Sequence, residues 1–210
     1  MNEMRLLLGI ILFGSLWGFS EVILGPIINN GAIMTGIFAI SFMFLSRMIF
    51  KQRGMQLGMG LIAGTLKIFD PFCVTCMVCS GIAIAAEAAI FEVMFYKLEK
   101  LDFSNLKTIT VQSSLGISAA YVIFVGGYIV TQILTPLSQN SFYLENLFVK
   151  IPGILSSGLM AALVGSITIP ILFQTNKLEL RLKDRLYYPT TIGISALCWI
   201  IIITNFLLFS

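Results

Sequence analysis

An all-α integral membrane protein, a bundle of about seven transmembrane helices forming one domain over residues 1–210, is predicted by three observations. First, 58% of the 210 residues are hydrophobic and only 11% are charged, with a mean hydropathy of +0.96. Soluble domains carry about 45–50% apolar and about 25% charged residues, and a soluble fold needs a charged skin that this chain cannot supply. Second, apolar runs long enough to cross roughly 30 Å of hydrocarbon recur along the chain. Third, basic residues crowd alternate connections between those runs. Together these exclude a water-soluble enzyme, a nucleic-acid-binding protein and a disordered tail.

The first run, Leu6–Ile28, is interrupted only by Glu21. The preceding MNEMR mimics the start of a signal peptide. However, the run far exceeds an h-region of about 7–15 residues and no A-x-A-like cleavage site follows, so an uncleaved first helix is expected. The second run is Gly31–Phe50, with Arg47 near its end. The third, Gly54–Phe69, is closed by Asp70-Pro71; at 1.5 Å per residue it reaches only about 24 Å, which predicts an untilted or re-entrant helix. The fourth extends from about Cys73 to Tyr96 and contains Glu87 and Glu92. The fifth is Thr108–Leu137, the sixth Ile151–Phe173 and the seventh Tyr188–Phe209. Between them lie an extramembrane stretch, Ser138–Lys150, and the segment Gln174–Tyr187, expected either as an amphipathic interfacial helix or as a basic anchor.

With the N-terminus inside, eleven basic residues fall on inner segments: Arg5, Arg47, Lys51, Arg53, Lys97, Lys100, Lys107, Lys177, Arg181, Lys183 and Arg185. Only Lys67 and Lys150 fall outside. Such a split over short connections is the positive-inside pattern, so seven helices with the N-terminus inside and the C-terminus outside a cell (inner) membrane are expected. Omitting the short third run would scatter the basic clusters over both sides.

Chemistry is restricted by what is missing. The chain has no histidine, the commonest proton shuttle and metal ligand near neutral pH. It also has no G-x-x-x-x-G-K-[ST] phosphate loop. GMGLIAG, Gly58–Gly64, lies in an apolar run and reads as helix packing. No catalytic constellation emerges, and a non-enzymatic role is expected, with no obligatory cofactor.

Ionisable groups in a membrane span cost at least about 2.5–3.5 kcal/mol near the bilayer centre, so they are usually paired or functional. Glu21 and Lys67 are candidates for an ion pair between neighbouring helices, or for ligand contacts together with Asp70. Glu87 lies near the middle of the fourth run. Glu92 points away from it and reads as an interfacial carboxylate near Lys97. In DPFCVTCMVCS, Asp70–Ser80, a turn angle of about 100° per residue places Cys76, Cys79, Ser80, Ala83 and Glu87 on one face. That face would line a pocket opening outward. Cys73, Cys76 and Cys79 could equally be packing residues, a disulfide-forming redox group, or ligands of a soft metal ion such as cuprous copper. Cys198 reads as packing. Gly14 and Gly18 form a small-residue face on the first helix, as Gly54/Gly58 and Gly60/Gly64 do around the third, suited to helix packing within the bundle or to docking another membrane subunit.

GSLWGFSEVILG (Gly14–Gly25), RGMQLGMGLIAGTLKIFDPF (Arg53–Phe72) and SGIAIAAEAAIFEVMFYKL (Ser80–Leu98) resemble the substrate-binding S components of energy-coupling factor transporters. The resemblance covers about the first half of the chain. It implies a six-helix core, here with one helix added, and an outward-open pocket. It also implies a small-residue face, with Gly14 and Gly18 in that position, that docks on a transmembrane coupling subunit driven by ATPases. The seventh helix, the exterior C-terminus and the three cysteines depart from that family's pattern. The expected function is uptake of a small molecule or ion, with Glu21, Lys67, Asp70, Cys76, Ser80 and Glu87 as ligand contacts. A membrane thiol-redox, metal-binding or electron-transfer protein centred on the cysteines, or a structural subunit of a membrane complex, are the alternatives.

Overall fold

The computed structural model describes residues 3–27, 31–72, 77–96, 108–138, 144–175 and 184–209. Within them every extended element is helical. The order is α1 (Glu3–Phe19), a π-helical turn (Ser20–Leu24), α2 (Gly25–Ile27), α3 (Gly31–Phe50), α4 (Met55–Lys67), α5 (Met77–Phe95), α6 (Ile109–Ser138), α7 (Leu144–Thr175) and α8 (Asp184–Phe209). Five stretches are long and apolar enough to cross a membrane: Glu3–Leu24, Val78–Phe95, Ile109–Val130, Ile151–Gln174 and Leu186–Phe209. The chain is a multi-pass membrane protein. The second expected span is represented by a shorter apolar helix, Met34–Phe50. The third is α4, whose 13 residues reach only about 20 Å at 1.5 Å per residue.

Two boundaries differ from the sequence expectation. Helix α7 begins at Leu144 and runs through Pro152, so it extends back into the stretch Ser138–Lys150, expected to be extramembrane, while its apolar span starts at Ile151 as expected. Helix α8 begins at Asp184. Most of the Gln174–Tyr187 segment, including the expected amphipathic turn, lies outside the described residues.

Lipid removes the hydrophobic drive between helices, so close backbone approach has to hold the bundle together. Gly64 of α4 and Gly81 of α5 supply it: a Cβ on Gly64 would lie 2.4 Å from the Gly81 carbonyl oxygen, and one on Gly81 would lie 2.6 Å from that of Gly64. Helices α1 and α4 meet through Gly14 and Gly18. A Cβ on Gly14 would stand 2.9 Å from the Met59 carbonyl oxygen, and one on Gly18 would stand 2.7 Å from Leu66. Both glycines are buried. The face that the sequence offered either to packing or to another subunit is therefore filled by α4 of the same chain.

Around these contacts sits an aromatic and methionine core. Trp17, Met43, Met55 and Met59 are buried, and Phe44 meets the rings of Phe91 and Phe95 edge-on at 5.0 Å. Helix α8 is peripheral: 17% of its span is buried, against 44% for the first span. It packs along α1 in the same direction. Near one end Tyr187 Oη donates to the Arg5 carbonyl oxygen (3.1 Å), midway Trp199 Nε1 donates to Ser15 Oγ (3.1 Å), and beyond that Ile202 joins Val22 and Leu66. Parallel first and last helices require an even number of reversals between them, which an odd number of crossings satisfies.

Candidate functional site

Polar groups gather at the two ends of α4. At the end where α3 finishes and α4 starts, Arg47 is 3% exposed. Its guanidinium donates to the Gln52 carbonyl oxygen, to Glu92 Oε1 (3.3 Å), to Gln56 Oε1 (3.5 Å) and, through Nη2, to the Phe95 carbonyl oxygen (3.2 Å). The Gln56 amide donates to Ser46 Oγ and the Met43 carbonyl oxygen. The connection turns through two left-handed residues, Lys51 (φ 52°) and Gly54 (φ 77°), the conformation glycine adopts without steric cost. That turn aims the Gly54 N–H at Glu92 Oε1, 2.8 Å away. The cluster ties α3, α4 and α5 together. Sequence reading used Arg47 only as a topological charge and assigned Glu92 to Lys97. Among the described residues the partner of Glu92 is Arg47, and Lys97 lies outside them. The available signal was Ser46, Arg47 and Gln56, polar residues within apolar runs.

The opposite end carries the expected ligand residues. Glu21 lies in the π-helical turn between α1 and α2, and π-turns inside helices are frequent at functional sites. Trp17 Nε1, one turn earlier, donates to Glu21 Oε1 (3.4 Å), and the Thr35 hydroxyl of α3 also hydrogen-bonds to that carboxyl. Lys67, in the last turn of α4, does not form the expected side-chain pair with Glu21. Its ammonium donates to the Glu21 main-chain oxygen (2.9 Å) and to Asp70 Oδ2 (2.8 Å). Asp70 is buried, and its second oxygen accepts the Phe72 N–H at 3.0 Å. The aspartate thus closes the turn after α4 and holds the ammonium in place.

Glu87 enters from α5. A Cβ on Gly127 of α6 would fall 2.4 Å from both Glu87 Cγ and Oε1, so the carboxyl lies directly on the α6 backbone. Glu21 is the charged group that bears on it, and Tyr128 of α6 lies within electrostatic reach of both carboxyls. The π-turn packs on α3 and α4, whereas α5 packs on α4 and α6. The two glutamates therefore stand on elements that share α4 as a neighbour.

Of the sequence candidates, Glu21, Lys67 and Asp70 are in direct contact, and Glu87 lies within electrostatic reach of Glu21. Ser80 and Cys79 are on α5 nearer its start; Cys79 is buried and disulfide-bonded. Cys73 and Cys76 lie outside the described residues, so the metal reading of the three cysteines rests on positions without a described geometry. Cys198 is buried and free. Sequence reading missed Trp17, Thr35, Gly127 and Tyr128; of these only Trp17, four residues before Glu21, had a local signal. No protein-family model, curated protein or solved structure matches the chain.

Proposed function

We propose that this protein binds a small solute at the Glu21–Glu87 end of the bundle and takes part in its uptake across a cell (inner) membrane. The observation that carries this reading is the excess of carboxyls. Among the described residues, Lys67 bears on Glu21 and is engaged by Asp70 and a main-chain oxygen, whereas the charged group that bears on Glu87 is Glu21, another carboxyl. Carboxylates held within repulsive distance in a membrane interior are stabilised by a cation, by protons or by a ligand rich in donors. A cationic or amine-bearing solute fits that demand; among the described residues no three His, Cys, Asp or Glu side chains are grouped to hold a metal ion. Trp17 and Tyr128 add aromatic surface suited to a cation.

Seven crossings with the N-terminus inside put this end outside, because the short connections at the Arg47 end carry most of the lysine and arginine. The parallel run of α1 and α8 supports that count. The resemblance to S components of energy-coupling factor transporters supports uptake driven by a partner. The Gly14/Gly18 face is occupied inside the chain, so a coupling subunit with ATPases would have to dock elsewhere. The thiol-redox reading is favoured by one observation, the disulfide at Cys79.

Native mass spectrometry of the purified protein separates these readings. Solute binding predicts a retained small molecule or ion that is lost in Glu21→Gln and Glu87→Gln and kept when Cys73, Cys76 and Cys79 are changed to serine. A bound species or redox activity that disappears only in the serine variant would replace this reading with the thiol one.

A further inference from the structure

We infer that Lys67 is a positioning residue, serving as the missing hydrogen-bond donor of the π-turn and so setting the direction of the Glu21 carboxyl. The argument is an inventory of main-chain donors. In an α-helix the Glu21 carbonyl would accept from the N–H four residues on, at Gly25. That N–H is committed to the Ser20 carbonyl oxygen, five residues back, in the π register. In the same register the donor for Glu21 would be residue 26, which is proline and has no N–H. The Glu21 carbonyl is therefore orphaned by both helical patterns, inside a span where an unsatisfied main-chain group is costly. Lys67 Nζ fills the gap from α4 at 2.9 Å, itself fixed by Asp70 Oδ2 at 2.8 Å.

A second consequence follows for direction. If the turn relaxed to α-helix, Gly25 would return to Glu21, and the chain beyond would rotate against α1 by about 100°, the angle of one residue. The Glu21 carboxyl would then lose its present alignment with Trp17 and Thr35. This role concerns the turn alone and holds whether or not the cluster binds a solute.

The chain has two tryptophans, Trp17 and Trp199, and each indole N–H has its own acceptor: Glu21 Oε1 for Trp17 and Ser15 Oγ for Trp199. Nuclear magnetic resonance of the full-length protein labelled with ¹⁵N-tryptophan, with Trp199→Phe for assignment, reads them separately. Lys67→Met is expected to shift the Trp17 indole resonance, whereas Lys67→Arg keeps the native position. The double variant Pro26→Ala/Lys67→Met restores an N–H at residue 26 and is expected to return the Trp17 resonance toward its native position. An unmoved Trp17 resonance in Lys67→Met, an equal shift in Lys67→Arg, or no recovery in the double variant would each overturn the assignment. If Lys67→Met alone does not fold, a folded double variant supports the role and an unfolded one refutes it.

Discussion

The two polar clusters of this bundle share α4 and α5 but differ in how their charges are balanced. At the Arg47 end, one guanidinium faces one carboxylate, and its remaining N–H groups reach main-chain oxygens and the Gln56 amide. At the Lys67 end, one ammonium serves Asp70 and Glu21, and the charged neighbour of Glu87 is the Glu21 carboxyl. A balanced buried pair fixes helix positions, and at this one the demand left over is a single carboxylate oxygen, Glu92 Oε2, without a hydrogen-bond partner. An unbalanced cluster stores demand for a counter-charge, which makes it the better place for a binding site.

If that distinction is right, damage to the two ends should have different consequences. The largest stability loss is expected from Arg47→Met, which leaves Glu92 unpaired; breaking a buried pair costs about 3–5 kcal/mol, measurable by equilibrium unfolding in detergent. The comparison fails if Glu21→Gln, an isosteric change at the other end, destabilises the protein as much. For binding the order reverses. Glu21→Gln and Glu87→Gln each remove a charged contact worth about 1.5–3 kcal/mol, a loss of about 10- to 150-fold in affinity, by titration with the solute that native mass spectrometry identifies. Affinity unchanged in both would move the site away from this cluster.

A fourth substitution probes α4, the neighbour that both glutamate-bearing elements share. Gly64→Ala drives a methyl group into the Gly81 carbonyl, which cannot turn aside. The expected cost is about 1–3 kcal/mol of stability by the same unfolding measurement. Gly153→Ala, with nothing within 4 Å of its Cβ, is the control and should stay within about 0.5 kcal/mol. The smallest effect is expected at the periphery. Trp199→Phe deletes the bond to Ser15 at a cost of about 0.5–1.5 kcal/mol, and faster hydrogen exchange should be confined to α8. Faster exchange in α3–α5 as well would make α8 part of the core that holds both clusters.

Much of the molecule was legible before any coordinates. The membrane class and five of the seven expected spans, found as helices long and apolar enough to cross, follow from hydropathy. The contact of Lys67 with Glu21 and Asp70 follows from one rule: charge inside a membrane span is costly and therefore informative. The same rule was applied too narrowly at Arg47, counted as a marker of the inner face when it is the hub of a buried network. Its partners Glu92 and Gln56 lie 45 and nine residues away, and no helical periodicity connects them.

By itself the sequence determined the membrane class and the helical runs, because hydropathy and chain length act on each segment independently of its neighbours. Tertiary structure alone decided which charges meet. The Lys67 ammonium goes to the main-chain oxygen of Glu21 because proline and the π register together leave that oxygen without a donor. The Gly14/Gly18 face is used internally because the α4 backbone packs directly on it. Pairings of this kind depend on distances between helices, and a linear pattern records only the distances within one.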